Sequence, residues 1–250
     1  MKLVLISDTH GKHGSLSNRR LPAGDLLIHA GDFSGQGYKA EVEDFVEWMD
    51  KQSSRYTHGV IFIAGNHDRS FDPKYAKEYE NFNLQDGPSS SGKPAWLCDI
   101  LHTFEHSSSR ITYLENKQVT VQGIKVWGSP VTPWFHGDFW AFNRQRGLDI
   151  KEVWDQIPPD TDIVVTHGPV MGKLDYVPSN GVFVGCEELE NRIKNIKPIL
   201  HVCGHIHEGY GKRVDESTMY VNASICNHHY DPINKPIVVE INTADKSIKY

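Results

Sequence analysis

Short apolar runs recur along the chain, and each stops at a polar cluster. KLVLIS (2–7) runs into Asp8-Thr9-His10, DLLIHA (25–30) into Gly31-Asp32, and GVIFIA (59–64) into Gly65-Asn66-His67-Asp68. Further on, DIVV (162–165) ends at Thr166-His167-Gly168, and ILHVC (199–203) at Gly204-His205-Ile206-His207. Runs this short and rich in Val, Ile and Leu predict buried strands. Between the second and third, YKAEVEDFVEWMDKQ (38–52) sets Val42, Phe45, Val46 and Met49 at helical spacing, which predicts a helix with its stripe in the core. A second helix is expected from Gly185 to Ile196. VTVQGIKVWGSP (119–130) reads as a hairpin turning at Gly123, while TMYVNAS (218–224) and PIVVEINTADKSIKY (236–250) add a strand and a terminal hairpin. Residues 69–110 are less regular, and QDGPSSSGKP (85–94) is the clearest flexible loop. Strands alternating with a helix, then hairpins, predict an α/β sandwich with helices packed outside.

Composition narrows the function classes. The 38% hydrophobic and 23% charged content is that of an ordinary globular protein. A net charge of −6 gives no footprint for gripping a long nucleic acid, although a nucleotide-sized ligand needs only a local site. Cys98, Cys186, Cys203 and Cys226 form no CxxC pair and are expected to be reduced. Met1 is followed almost at once by the first strand and no run is long enough to span a membrane, so a cytoplasmic location is expected. The NAS triplet at 222–224 is a formal glycosylation acceptor, without a secretion signal to give it meaning.

The chemistry lies in the polar clusters. In open α/β sheets ligands bind beyond the carboxyl ends of the strands, and all five clusters fall at such ends. Asp and His there suit two divalent cations in a hydrolytic pair. Asp8 and His10, two apart, face one way if the segment stays extended, and so do His205 and His207. Asp32, alone on its strand end, suits a bridging role. Asn66 offers a neutral amide oxygen, and His167, His205 and His207 complete the set with nitrogen. Gly204 lets the backbone turn sharply or approach something closely. So many imidazoles argue for Mn, Fe, Zn or Co over Mg or Ca, and Mn is the first expectation among them.

The blocks DxH, GD, GNHD, THG and GHxH resemble those of the calcineurin-like metallophosphoesterases. GSPVTPWF, WAFNRQRG, THGPVMG, HIHEGYG and YVNAS resemble the metallophosphoesterase domain-containing branch, grouped with class III cyclic nucleotide phosphodiesterases. The resemblance spans nearly the whole chain and is weakest over 74–110. It implies a single domain, residues 1–250: an αββα sandwich of two mixed sheets flanked by helices, with a loop-rich insertion around 70–110. It also implies one metal held by Asp8, His10, Asp32 and His207, and a second by Asp32, Asn66, His167 and His205. His67 would protonate the leaving oxygen or stabilise charge on the phosphate. Some animal members have Gly where this chain has His205, so the second site is expected to be whole here. FHGDFW, with His136 and Asp138, departs from several relatives.

The function implied is hydrolysis of phosphodiesters by a hydroxide bridging two metals, with cyclic or related nucleotides as substrates. The alternatives are a phosphomonoesterase or protein phosphatase, and a non-catalytic scaffold of the same fold. Substrate contacts are sought among Trp134, Phe135, Trp140 and Phe142, otherwise a core patch, and among Asn143, Arg144 and Arg146, otherwise surface residues. Asp68 is expected to orient His67 or cap the next turn. His13, His228 and His229 are candidate neighbours of the cleft, and His201 is expected in the core or behind the ligands.

Overall fold

The structure, a computed structural model, describes residues 1–16, 21–75, 78, 91–106, 110–215 and 217–249. Residues 85–90 of the expected loop lie outside the described residues. The first strands are β1 (Lys2–Ile6), β2 (Leu26–Ala30), β3 (Val60–Ile63), β4 (Ile111–Tyr113), β5 (Lys117–Val121), β6 (Ile124–Ser129), β7 (Thr132–Pro133) and β8 (Asn143–Arg144). They are followed by β9 (Ile163–Thr166), β10 (Tyr176–Val177), β11 (Val182–Phe183), β12 (Leu200–Cys203), β13 (Gly211–Asp215), β14 (Thr218–Asn222), β15 (Ile237–Asn242) and β16 (Ser247–Lys249). Among the described residues the α-helices with defined bounds are α1 (Lys39–Ser53), α2 (Ala95–His106), α3 (Leu148–Trp154) and α4 (Glu187–Ile196).

Two six-stranded sheets result, ordered β16-β15-β1-β2-β3-β4 and β13-β14-β12-β9-β6-β5. Strands β1 to β4 run parallel, with β15 and β16 added antiparallel on one side. In the other sheet β14, β12, β9 and β6 run parallel between antiparallel edges β13 and β5. The period-two alternation of each strand decides the layers. Leu3, Leu5, Leu26, Ile28, Ile61 and Ile63 of the first sheet meet Ile124, Val126, Ile163, Val165, Leu200 and Val202 of the second. The intervening residues Val4, Ile6, Leu27, Val60 and Phe62 turn outward onto Val42, Phe45 and Met49 of α1 and Leu97 of α2. On the opposite outer face Trp127 and Val164 pack on α3 and α4. This is the expected αββα sandwich of two mixed sheets.

The helix over 38–52 and the hairpin turning at Gly123 form as read, the turn closing between Val121 and Ile124. Two helices were not expected. In α2, within the stretch read as irregular, Trp96, Leu97, Ile100, Leu101 and Phe104 pack on the core at helical spacing, and α3 buries Ile150, Val153 and Trp154. Among the described residues no helix is long and apolar enough to cross a membrane. Parallel strands bring their carboxyl ends to one edge, and a bridge between Ser7 and Ser224 joins β1 to β14 there.

Candidate metal centre

The polar clusters meet at this shared edge, and the backbone is bent to bring them in. Asp8, His10, Asp32 and His205 all have left-handed φ, between 42° and 66°. Non-glycine residues hold that conformation only where their surroundings enforce it, at about 1–3 kcal/mol each. The extended geometry expected after β1 and β12 is therefore not what gathers these side chains. His205 and His207 in fact point into different groups. Asp8, His10 and His207 converge in one; Asp32, His167 and His205 converge in another; His67 meets His10 and Asp32 between them.

Several ligand atoms within each group stand at the spacing that a shared cation would set, while His10 Nε2 and Asp8 Oδ1 stand wider, at 4.0 Å. His10 Nε2 and His207 Nε2 are 3.2 Å apart, and His207 Nε2 is 3.4 Å from Asp8 Oδ1. His167 Nε2 is 3.1 Å from Asp32 Oδ2 and 3.0 Å from Asn66 Oδ1. Two donors each about 2.1 Å from one ion lie roughly 3.0–3.4 Å apart at octahedral to tetrahedral angles. The tautomers agree. His207 Nδ1–H donates to the Asn227 carbonyl at 2.8 Å and His167 Nδ1–H to that of Ala30 at 2.9 Å, turning each Nε2 inward. Against the effect of burial, Asp32 pushes His167 up to about 9 and Asp8 raises His207, so at these two nitrogens a metal would take the place of a proton. Burial pushes His10 down to about 4 and His205 to about 3, so both are neutral, as a nitrogen ligand must be. Burial alone would raise Asp8 and Asp32. The imidazoles beside them, His207 for Asp8 and His167 for Asp32, outweigh it and hold both below the usual carboxylate range.

A second layer holds these groups. Asp8 Oδ2 accepts from Ser7 Oγ at 2.5 Å and Ser224 Oγ at 2.8 Å, and its Oδ1 from the His205 amide at 3.0 Å. A Cβ at Gly204 would run into Ser7 Oγ and Asp8 Oδ2, so this glycine serves close approach. Asn222, fully buried, donates to the Ile206 carbonyl at 2.8 Å and accepts from the Ser224 amide at 3.2 Å, which accounts for the YVNAS block. Asp68 neither touches the His67 ring nor caps the following turn. Its carboxylate instead accepts from the amides of Asp32, Ser34 and Gly65 and from Ser34 Oγ, tying the GD loop to the GNHD loop. The His67 ring is oriented by Gly35, whose carbonyl accepts from Nδ1–H at 2.8 Å.

Above the groups opens a cleft of about 340 Å³ lined by Asp32, Asn66, His67, His205 and His207 together with Phe135, His136, Trp140, His228 and Tyr230. Trp140 packs on His67 at 4.3 Å, Phe135 stands edge-on to His205 at 4.8 Å, and Tyr230 edge-on to His10 at 4.8 Å. The sequence-derived substrate contacts fare differently. Trp134 is 42% exposed and outside the cleft lining. Asn143 accepts from Thr132 Oγ1 at 3.0 Å and donates to the Phe135 carbonyl, so it shapes the loop. Arg146 is spent on the Gly185 and Val184 carbonyls and on Glu187. Phe142 is core. His13 is buried against Phe45 and Trp48 with Nε2 on Asp44 at 2.9 Å, whereas His228 does line the cleft and His229 lies tilted against the His228 ring. Tyr230 was not singled out from the sequence. Its one signal is an aromatic in the polar run NHHYD that follows the last strand end.

Residues 1–209 match the calcineurin-like phosphoesterase family. Metallophosphoesterase domain-containing protein 1 of Homo sapiens is 42% identical over 251 residues, covering 98% of this chain and 72% of that protein. A UPF0046 protein of Caenorhabditis elegans is 34% identical over 96% of this chain and 60% of its own length. One solved structure superposes with a TM-score of 0.58 at 14% identity, covering 99% of this chain and 97% of its own, a likeness of fold alone. With residues 1–209 matched and a relative at 42% identity, the chain belongs to the calcineurin-like phosphoesterase family.

Proposed function

We propose that this chain is a dinuclear metal-dependent phosphodiesterase acting on small, nucleotide-type phosphate esters. The family supports the coarser statement, a metal-dependent phosphoester hydrolase. The finer one is supported by the lining of the cleft, where aromatic rings abound and no lysine or arginine occurs among the described residues. A terminal phosphate dianion is best held by guanidinium or ammonium groups. A diester carries one negative charge fewer, and its organic substituents gain from apolar walls. Phe135 and Trp140, 6.3 Å apart and within 16° of parallel, suit a planar base.

On this reading Asp8, His10 and His207 hold one divalent ion, Asn66, His167 and His205 the other, and Asp32 is shared. The neutral imidazoles of His10 and His205 fit such ions, and the nitrogen-rich set favours a transition metal, manganese, iron, zinc or cobalt, over magnesium or calcium. When bound, the ions supply charge to the phosphoryl oxygens and lower the pKa of an attacking water. Asp8 and Asp32 only partly neutralise the ions, which keeps the site attractive to a phosphate anion. His67 gives a proton from Nε2 to the leaving oxygen, its Nδ1–H anchored on Gly35.

The test is kcat/KM of the manganese-loaded protein on bis-p-nitrophenyl phosphate and p-nitrophenyl phosphate, followed by 2′,3′- and 3′,5′-cyclic nucleotides. We expect the diester to be preferred at least tenfold and one cyclic nucleotide to be turned over. A preference for the monoester would make it a phosphomonoesterase, and no turnover by metal-loaded protein would make it a scaffold.

A further inference from the structure

Two histidines buried on central strands are not accounted for by the site chemistry. His29 lies on β2 and His201 on β12, at 0% and 1% exposure. Both sit on the outward faces of their sheets: His29 lies against Phe33 and Phe45, His201 against Tyr220. His29 Nε2 is 3.0 Å from Thr9 Oγ1, and His201 Nε2 is 2.8 Å from Thr166 Oγ1. The two contacts are built alike. Each histidine reaches from its own strand to a threonine at the end of a parallel neighbour, β1 for His29 and β9 for His201. Thr9 separates Asp8 from His10, and Thr166 precedes His167. Each histidine's own strand carries candidate ligands a few residues on, Asp32 after His29 and His205 after His201.

As mere filling, these rings are a poor choice. Each has a buried Nδ1 with no partner among the described residues, and burial holds both neutral, pushing each down to about 3. A leucine would fill the space without stranding a polar atom. What the imidazole adds is one directed hydrogen bond. For the second pair its sense is fixed: Thr166 Oγ1 gives its proton to the Gly168 carbonyl at 2.6 Å, so His201 Nε2–H must donate to it. The first pair sits where the backbone most needs holding, since the residues on either side of Thr9 are both left-handed, at φ 52° and 42°.

We propose that His29 and His201 are positioning residues, each locking two neighbouring ligand-bearing strand ends together through a threonine hydroxyl so that the two metal groups keep their geometry. The inference rests on the metal-centre reading above. Neither ring touches a metal or substrate in this scheme, and their effect passes through Thr9 to Asp8 and His10, and through Thr166 to His167.

The experiment is a Mn²⁺ titration of chelator-stripped full-length protein, following free Mn²⁺ by electron paramagnetic resonance, with thermal unfolding recorded alongside. Thr9→Val and Thr166→Val remove the hydroxyl and keep the shape; His29→Leu and His201→Leu remove the ring; His29→Gln and His201→Gln keep an amide donor near the Nε2 position. Groups behind metal ligands typically govern affinity about 10- to 100-fold. We expect each Val variant to weaken Mn²⁺ binding about tenfold while its apo form unfolds within a few degrees of wild type. Each Gln variant should bind within about threefold of wild type, and adding His29→Leu to Thr9→Val should cost no further affinity, since both break one bond. Should the Leu variants fail to fold, the Val variants decide the matter. Wild-type affinity in both Val variants, or equal losses in Gln and Leu variants, overturns the proposal. Wild-type protein that binds no Mn²⁺ overturns the metal-centre reading, and this one with it.

Discussion

His67 shows how one side chain can be placed for chemistry by the residues around it. Its Nδ1–H is held by the Gly35 carbonyl, its face is covered by Trp140, and its backbone amide donates to Asp32 Oδ1 at 2.8 Å. The ring therefore has one nitrogen left, and that nitrogen belongs to the cleft. A general acid contributes about 10²- to 10⁴-fold, mostly for leaving groups that need a proton. His67→Ala is thus expected to retain its metal and to lose about that factor on a ribose-type leaving group, with a much smaller loss on p-nitrophenolate. The ratio of wild-type to variant kcat/KM on both substrates, with metal content measured, is the check. Equal losses would make His67 an electrostatic stabiliser, and lost metal would make it a ligand. The residues proposed to bear this chemistry stood out in the sequence because Asp, His and Asn at strand ends have few structural reasons to be there. The walls were legible only in part. Phe135 and Trp140 stood among four aromatic candidates, and which of the four face the cleft is a matter of side-chain direction that sequence alone leaves open; Tyr230 comes from a distant loop.

At the level of elements, continuous apolar runs made the central strands legible, because strands covered on both faces have no polar side to confuse the pattern. Helix α2 was hidden by the Gly- and Ser-rich segment before it, although its own spacing of Trp96, Leu97, Ile100, Leu101 and Phe104 is helical. The period-two argument for Asp8 with His10 named two residues that the structure does bring into one group, but not by extended geometry, since both leave the strand in left-handed conformations. Burying imidazole inside strands has a consequence for stability. His29 and His201 are pushed by burial from 6.5 down to about 3. As pH falls through 6.5 the unfolded chain takes up protons that the folded strands refuse until about 3, so these positions lower stability progressively across that window. The denaturation midpoint is expected to drop between pH 7.5 and pH 5, and His201→Leu to make that slope shallower whatever it does to stability at pH 7.5. An unchanged slope would show that His201 takes up its proton in the folded state as readily as in the unfolded one.

Across the whole molecule the candidate centre straddles the seam between the sheets. Asp8, His10, Asp32 and Asn66 follow strands of the first sheet; His167, His205 and His207 follow strands of the second. A cation held by both sets clamps the sheets at one edge. It is not what holds them together, because the seam beneath buries Leu3, Leu5, Ile28, Ile63, Val126, Val165 and Val202, each worth roughly 1.5–3 kcal/mol. The apo protein should therefore stay folded, and metal should add stability on top by mass action. At a free concentration of one hundred times Kd the gain is about 2.7 kcal/mol, and for a chain of this size each kcal/mol moves Tm by about 2–4 °C. Chelation with EDTA is thus expected to lower Tm by about 5–10 °C while the transition stays cooperative, and Mn²⁺ to restore it. Asp32→Ala, which removes the carboxylate shared by both groups, should abolish most of that shift. Loss of the cooperative transition in EDTA would mean that the metals, and not the apolar seam, hold the two sheets together; no shift at all would mean that the groups facing each other across the seam hold no ion.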